Sequence, residues 1–96
     1  MTLETDLKAV EVRITGRVQG VNYRGWARME AERLGVDGWI RNEEDGSVTA
    51  LLAGRQEAVA AMMDLLGSGP PAARVADISS RPADPAGARG SFRILR

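Results

Sequence analysis

The chain has 96 residues, 44% of them hydrophobic and 27% charged, the make-up of one folded domain that buries roughly two-thirds of the surface its unfolded form exposes, and unlike a disordered tail or a collagen-like repeat. Its 13 basic and 13 acidic residues cancel, which excludes a general field toward nucleic acid or an anionic membrane, so any anion site has to be local. Cysteine and histidine are both absent, and with them go thiol nucleophiles, disulfides, imidazole bases and the ligands that zinc prefers; what remains is chemistry on arginine, carboxylates, amides, hydroxyls and the backbone.

Met1 to Asp6 carries two acids and no apolar run, matching neither a secretory signal nor a lipidation motif. Nowhere do about eighteen apolar residues run together, so a cytoplasmic protein without membrane contact is expected, with residues 1–7 a flexible segment ahead of a single domain over 8–96. From Lys8 to Gly16, Val10, Val12 and Ile14 alternate with Glu11, Arg13 and Thr15, the period of two of a half-buried strand. Beyond a connection centred on Gly20, Tyr23, Ala27, Ala31 and Leu34 recur at helical spacing, and Gly35 suits a left-handed C-cap. Val36 to Arg41 and Ser47 to Ala53 read as two further strands, the second turning Val48, Ala50 and Leu52 to one face, with Asp45-Gly46 as a hairpin signal between them. Val59, Met62, Met63 and Leu66 form the apolar stripe of a second helix from about Arg55 to Leu66, broken by Gly67-Ser68-Gly69-Pro70-Pro71. A strand around Arg74 to Ser80, a Pro/Gly/Ala-rich loop from Pro82 to Gly90 and a last short strand with Phe92 and Ile94 complete the chain. The order is βαββαβ plus a short C-terminal strand. It predicts an α+β class, a ferredoxin-like α/β sandwich with an antiparallel sheet and both helices on one face.

The segment with most chemical content is Gly16-Arg17-Val18-Gln19-Gly20-Val21-Asn22-Tyr23-Arg24, between a strand and the first helical turn. A loop entering a helix turns several unpaired N–H groups toward one point, where the helix dipole adds positive potential. Gly20 permits a positive φ or a close backbone approach, and Arg24 brings a planar fork of donors to the same place. Phosphate binding fits this arrangement, and a tight turn carrying a surface arginine fits the same residues. No Gly-Lys-Ser/Thr follows and the three-glycine dinucleotide pattern is missing, so nucleotide binding by those routes is disfavoured.

The whole run from Gly16 to Arg24 resembles the acylphosphatase signature. Gly38-Trp39-Ile40-Arg41-Asn42 followed by Asp45-Gly46-Ser47-Val48 is similar to the family's strand-hairpin-strand segment, and Leu34-Gly35, Gly69-Pro70-Pro71, Ala73, Val75, Phe92 and Ile94 also fit. The resemblance spans about residues 8 to 96. It implies a hydrolase that cleaves acyl phosphates to a carboxylate and inorganic phosphate with no cofactor and no metal. Phosphate would also act as product or inhibitor, and the chain would be a monomer. By motif position Arg24 matches the phosphate-binding arginine and Asn42 the water-orienting asparagine, with the backbone amides of Gln19, Gly20, Val21, Asn22, Tyr23 and Arg24 as the phosphate cradle. Two positions depart from the pattern: Ala27 stands where members often have a small hydroxyl residue, and Glu43 where some have threonine.

Other residues have plainer expected roles. Glu43, Glu44 and Asp45 make a charged hairpin tip in preference to a hard-metal site. Met62 and Met63 fill the core, Trp26 and Trp39 serve packing or surface cover, and Arg17 and Arg41 add positive potential without a catalytic role. The rival function is a non-enzymatic ferredoxin-like module binding RNA or a small ligand, which the fold permits. Only four aromatics and zero net charge speak against an RNA-recognition surface.

Overall fold

Alternation in the first strand sets the layout of the sheet. The computed structural model describes residues 6–88 and 90–95. In it β1 (Leu7–Arg17) buries Val10, Val12 and Ile14 on one face. β3 (Val48–Arg55) and β4 (Arg74–Pro82) pair antiparallel with it on either side, β2 (Asp37–Asn42) pairs antiparallel with β3, and β5 (Phe92–Ile94) adds to β2 in parallel. The order is β4-β1-β3-β2-β5. The expected antiparallel sheet is therefore found in four strands, and the terminal strand makes the whole sheet mixed. Residues 1–5 of the segment expected to be flexible lie outside the described residues, as does Arg96.

Register brings the apolar side chains into rows. Val10 faces Leu52, Val12 faces Ala50 and Ile14 faces Val48 across β1 and β3, while Ile40 faces Ala50 across β2 and β3. Helices α1 (Tyr23–Leu34) and α2 (Gln56–Ser68) close over these rows with Tyr23, Ala27, Ala31, Val59, Met62 and Leu66. Each large side chain so buried is worth roughly 1.5–3 kcal/mol relative to exposure. Gly35 takes the left-handed conformation expected of it, φ 74°, and its N–H returns to the carbonyls of Ala31 and Glu32. The first helix stops there and the chain re-enters the sheet through buried Val36.

Two findings go beyond the periodicity. β3 runs to Arg55, because β1 keeps pairing as far as Leu7 opposite Arg55; Arg55 is extended, and α2 starts one residue later than its pattern suggests. Leu51, on the face away from the helices, is buried as well as Leu52. Part of the 82–90 loop forms a 3-10 turn, Pro85–Gly87, against that face, where a Cβ on Gly87 would lie 3.1 Å from the Leu51 side chain. A central strand covered on both sides loses its simple alternation.

Candidate active site

Three segments meet at one end of the sheet: the β1–α1 loop, the end of β2 and the end of β5. Val18 is buried and anchors the loop in the core. Gly20 follows at φ 75°, and a Cβ there would meet nothing within 4 Å. The glycine is needed for its backbone angle and leaves open space in front of the loop. Asn22, φ 60°, is the one described non-glycine residue with a positive φ, a conformation that asparagine tolerates better than most. It precedes the helix, and the Trp26 N–H returning to its carbonyl at 3.0 Å opens the helical ladder. None of the backbone N–H groups from Gln19 to Gly25 donates to a backbone carbonyl among the described residues.

Electrostatics reinforces the loop. The first turn of α1 carries no acid to balance the positive end of the dipole; it carries Arg24 instead. A cation at that end is unfavourable by about 0.3–1 kcal/mol at an exposed site, and an anion shared between the two reverses the sign. The Arg24 guanidinium is half-buried and donates from Nη1 to the Leu95 carbonyl at 3.0 Å, just beyond β5.

Asn42 ends β2 and is the Cα partner of Val48. Its Oδ1 is buried and accepts no hydrogen bond from the described residues. A hollow of about 230 Å³ is lined by Gln19, Gly20, Asn22 and Arg24 on one side and by Asn42 and Ile94 on the other. Arg24 and Asn42, both chosen from the sequence, thus line one space.

Not every named residue points there. The Tyr23 side chain is buried, and its hydroxyl donates to the Leu66 carbonyl at 2.6 Å, tying the start of α1 to the last turns of α2. Burial pushes that phenol well above the usual tyrosine range, so only the backbone of Tyr23 is available to a ligand. Val21 packs against the core. Arg17 is exposed at the end of β1, while Arg41 lies 4.9 Å from the centre of the Trp39 ring and pairs with Glu43 at 2.8 Å; neither lines the hollow. Ala27 is fully buried between helix and sheet, and the Glu43 carboxyl is held below its ordinary pKa chiefly by the Arg41 hydrogen bond.

The sequence reading missed three contributors. Ile94 and the Leu95 carbonyl come from the other end of the chain, and only the β2–β5 pairing delivers them. Ser47, the one buried polar residue among those described, gives its N–H and hydroxyl to Asp45 Oδ1 at 2.9 and 2.6 Å. The Gly-Ser that follows Asp45 hints at a tight turn and does not reveal burial.

Comparison with known proteins points the same way. Residues 10–94 match the sequence model of the acylphosphatase family. The chain is 60% identical over 91 residues to an acylphosphatase of Rhizobium meliloti (strain 1021), covering 95% of this chain and 96% of that protein. Among solved structures it is similar to an acylphosphatase from Bacillus subtilis, with TM-score 0.87 and 31% identity over 94% of this chain and 99% of that one. An acylphosphatase from Coxiella burnetii gives TM-score 0.86 and 29% identity over 99% and 100% of the two chains.

Proposed function

This chain belongs to the acylphosphatase family, and from that membership we propose how its residues divide the hydrolysis of an acyl phosphate to a carboxylate and inorganic phosphate. Arg24 and the loop amides from Gln19 to Arg24 hold the phosphoryl oxygens. Charge-assisted hydrogen bonds contribute about 1.5–3 kcal/mol each, so the arginine anchors and the amides set orientation. Asn42 holds the attacking water by hydrogen bonding through its carboxamide.

The chemistry asks for little more. The water oxygen forms a bond to phosphorus as the bond from phosphorus to the acyl oxygen breaks. The acyl group leaves as a carboxylate, which is stable without a proton, and the proton lost by the water passes to a phosphate oxygen of the substrate. Because charge is spread over the phosphoryl oxygens in the transition state, prearranged donors and an aligned nucleophile supply the catalysis, and histidine is dispensable.

The observation that carries this division of labour is the hollow that Arg24 and Asn42 both line. The same reading takes residues 8–96 as one domain working as a cytoplasmic monomer, with inorganic phosphate as a competitive inhibitor and no nucleic-acid partner. Phosphate release from benzoyl phosphate, with chelator present, tests it. Asn42→Ala should lose at least about a hundredfold in turnover, as for removal of one oxyanion donor, and still bind phosphate. Arg24→Ala should lose phosphate binding as well, and equal phosphate affinity in the wild type and that variant would refute the anchor.

A further inference from the structure

The backbone N–H of Gln19 belongs to the cradle, but its side chain is turned elsewhere. Nε2 donates to the carbonyl of Glu43 at 2.9 Å and to that of Ser47 at 2.8 Å, the two ends of the β2–β3 connection. A carboxamide nitrogen has two N–H groups, and both are engaged by these carbonyls. Nothing is left to give a phosphate, and Oε1 is an acceptor that an anion repels.

The connection does not need these bonds in order to close. The Ser47 carbonyl already accepts from the Glu43 N–H at 2.8 Å, and the Glu43 carbonyl from the Gly46 N–H at 3.2 Å. What Gln19 adds is a tie between the phosphate loop and the β2–β3 connection. The connection is stiff enough to transmit that tie: Ser47 is buried and doubly bonded to Asp45 Oδ1, and Asp45 Oδ2 accepts from Arg13 on β1 at 2.7 Å. Asn42 is covalently joined to Glu43 and sits opposite Val48, so the group that moves with the two carbonyls is its carboxamide.

We infer that Gln19 is a positioning residue, its side-chain amide fixing the spacing between the phosphate cradle and the Asn42 carboxamide. This rests on the roles proposed above for Arg24 and Asn42. In-line attack depends on that spacing, and a displacement of about 1 Å costs on the order of a hundredfold in rate.

Gln19→Met and Gln19→Glu remove the donors at nearly unchanged length and keep the backbone N–H. In both, kcat for benzoyl phosphate should fall by about tenfold to a hundredfold, while in the uncharged Gln19→Met the inhibition constant for inorganic phosphate stays within about threefold of wild type, a change of under one tenfold step in affinity. If Gln19 acts through Asn42, adding Gln19→Met to Asn42→Ala should change kcat by no more than about twofold, because coupled residues are non-additive. Wild-type kcat in a folded Gln19→Met chain would overturn the inference. So would phosphate affinity of Gln19→Met falling in step with kcat, full additivity with Asn42→Ala, or loss of folding in both variants, judged by circular dichroism. Wild-type kcat in Asn42→Ala alone would instead remove the reading beneath it, and that result is separable because it does not involve Gln19.

Discussion

The helix-covered face of the sheet and the sheet end that carries Arg24 and Asn42 hold their shape by different means. The core is a contiguous apolar cluster running from Val10 to Phe92, in which burial is spread over many residues. The site end rests on single directional bonds: Gln19 to two carbonyls, Arg24 to Leu95, Ser47 to Asp45. Apolar burial is non-directional and additive over area, so the core tolerates small shifts and loses stability in proportion to what is removed. A directional bond is worth little to overall stability and a great deal to the placement of one group. Stability and activity should therefore come apart in mutants of the two regions.

Leu52→Ala should sharpen that separation most. The residue is 0% exposed on the central strand, and truncation there costs about 2–5 kcal/mol, read as a lowered midpoint in urea denaturation. Below the transition kcat should be unchanged, and a large loss of kcat in the folded variant would break the distinction. Tyr23→Phe tests the residue common to both regions, since its backbone borders the loop and its hydroxyl bonds the Leu66 carbonyl in the core. Leaving that carbonyl unpaired should cost about 1–3 kcal/mol of stability with turnover close to wild type.

The smallest effect is expected at Asp45. Hydrogen bonds from the Ser47 hydroxyl and N–H, with Arg13 beside them, hold its carboxyl below the ordinary aspartate range. A depressed folded pKa contributes stability that is present above the unfolded value of about 3.9 and is lost as pH falls through the folded one. Denaturation midpoints should drop for wild type as pH is lowered below about 4 and drop less for Asp45→Asn. Parallel curves for the two chains would mean that the Asp45 contacts contribute nothing to acid stability.

Most of the core was readable in advance. Period-two alternation placed Val10, Val12 and Ile14 on the buried face, and the 3.6-residue stripes placed Ala27, Ala31, Val59, Met62 and Leu66 opposite them. Arg24 and Asn42 were legible through their resemblance to a family motif, since a glycine and an arginine before a helix admit a plain turn as well. The burial of Leu51 was not legible, because it depends on a turn at Pro85–Gly87 that crosses the opposite face. Nor was the side-chain role of Gln19, whose partners are backbone carbonyls 24 and 28 residues away and so carry no residue-type signal.

By itself the amino-acid sequence determined the local elements, the faces they bury and the chemical types available for catalysis, because periodicity, capping and the absence of histidine and cysteine are properties of short stretches or of composition. The tertiary structure alone decided which of those types meet. Arg24 reaches the Leu95 carbonyl 71 positions away and shares a hollow with Asn42 and Ile94 because β5 pairs beside β2. Strand pairing between distant segments is set by how the whole apolar surface is buried, and no local pattern encodes that sum.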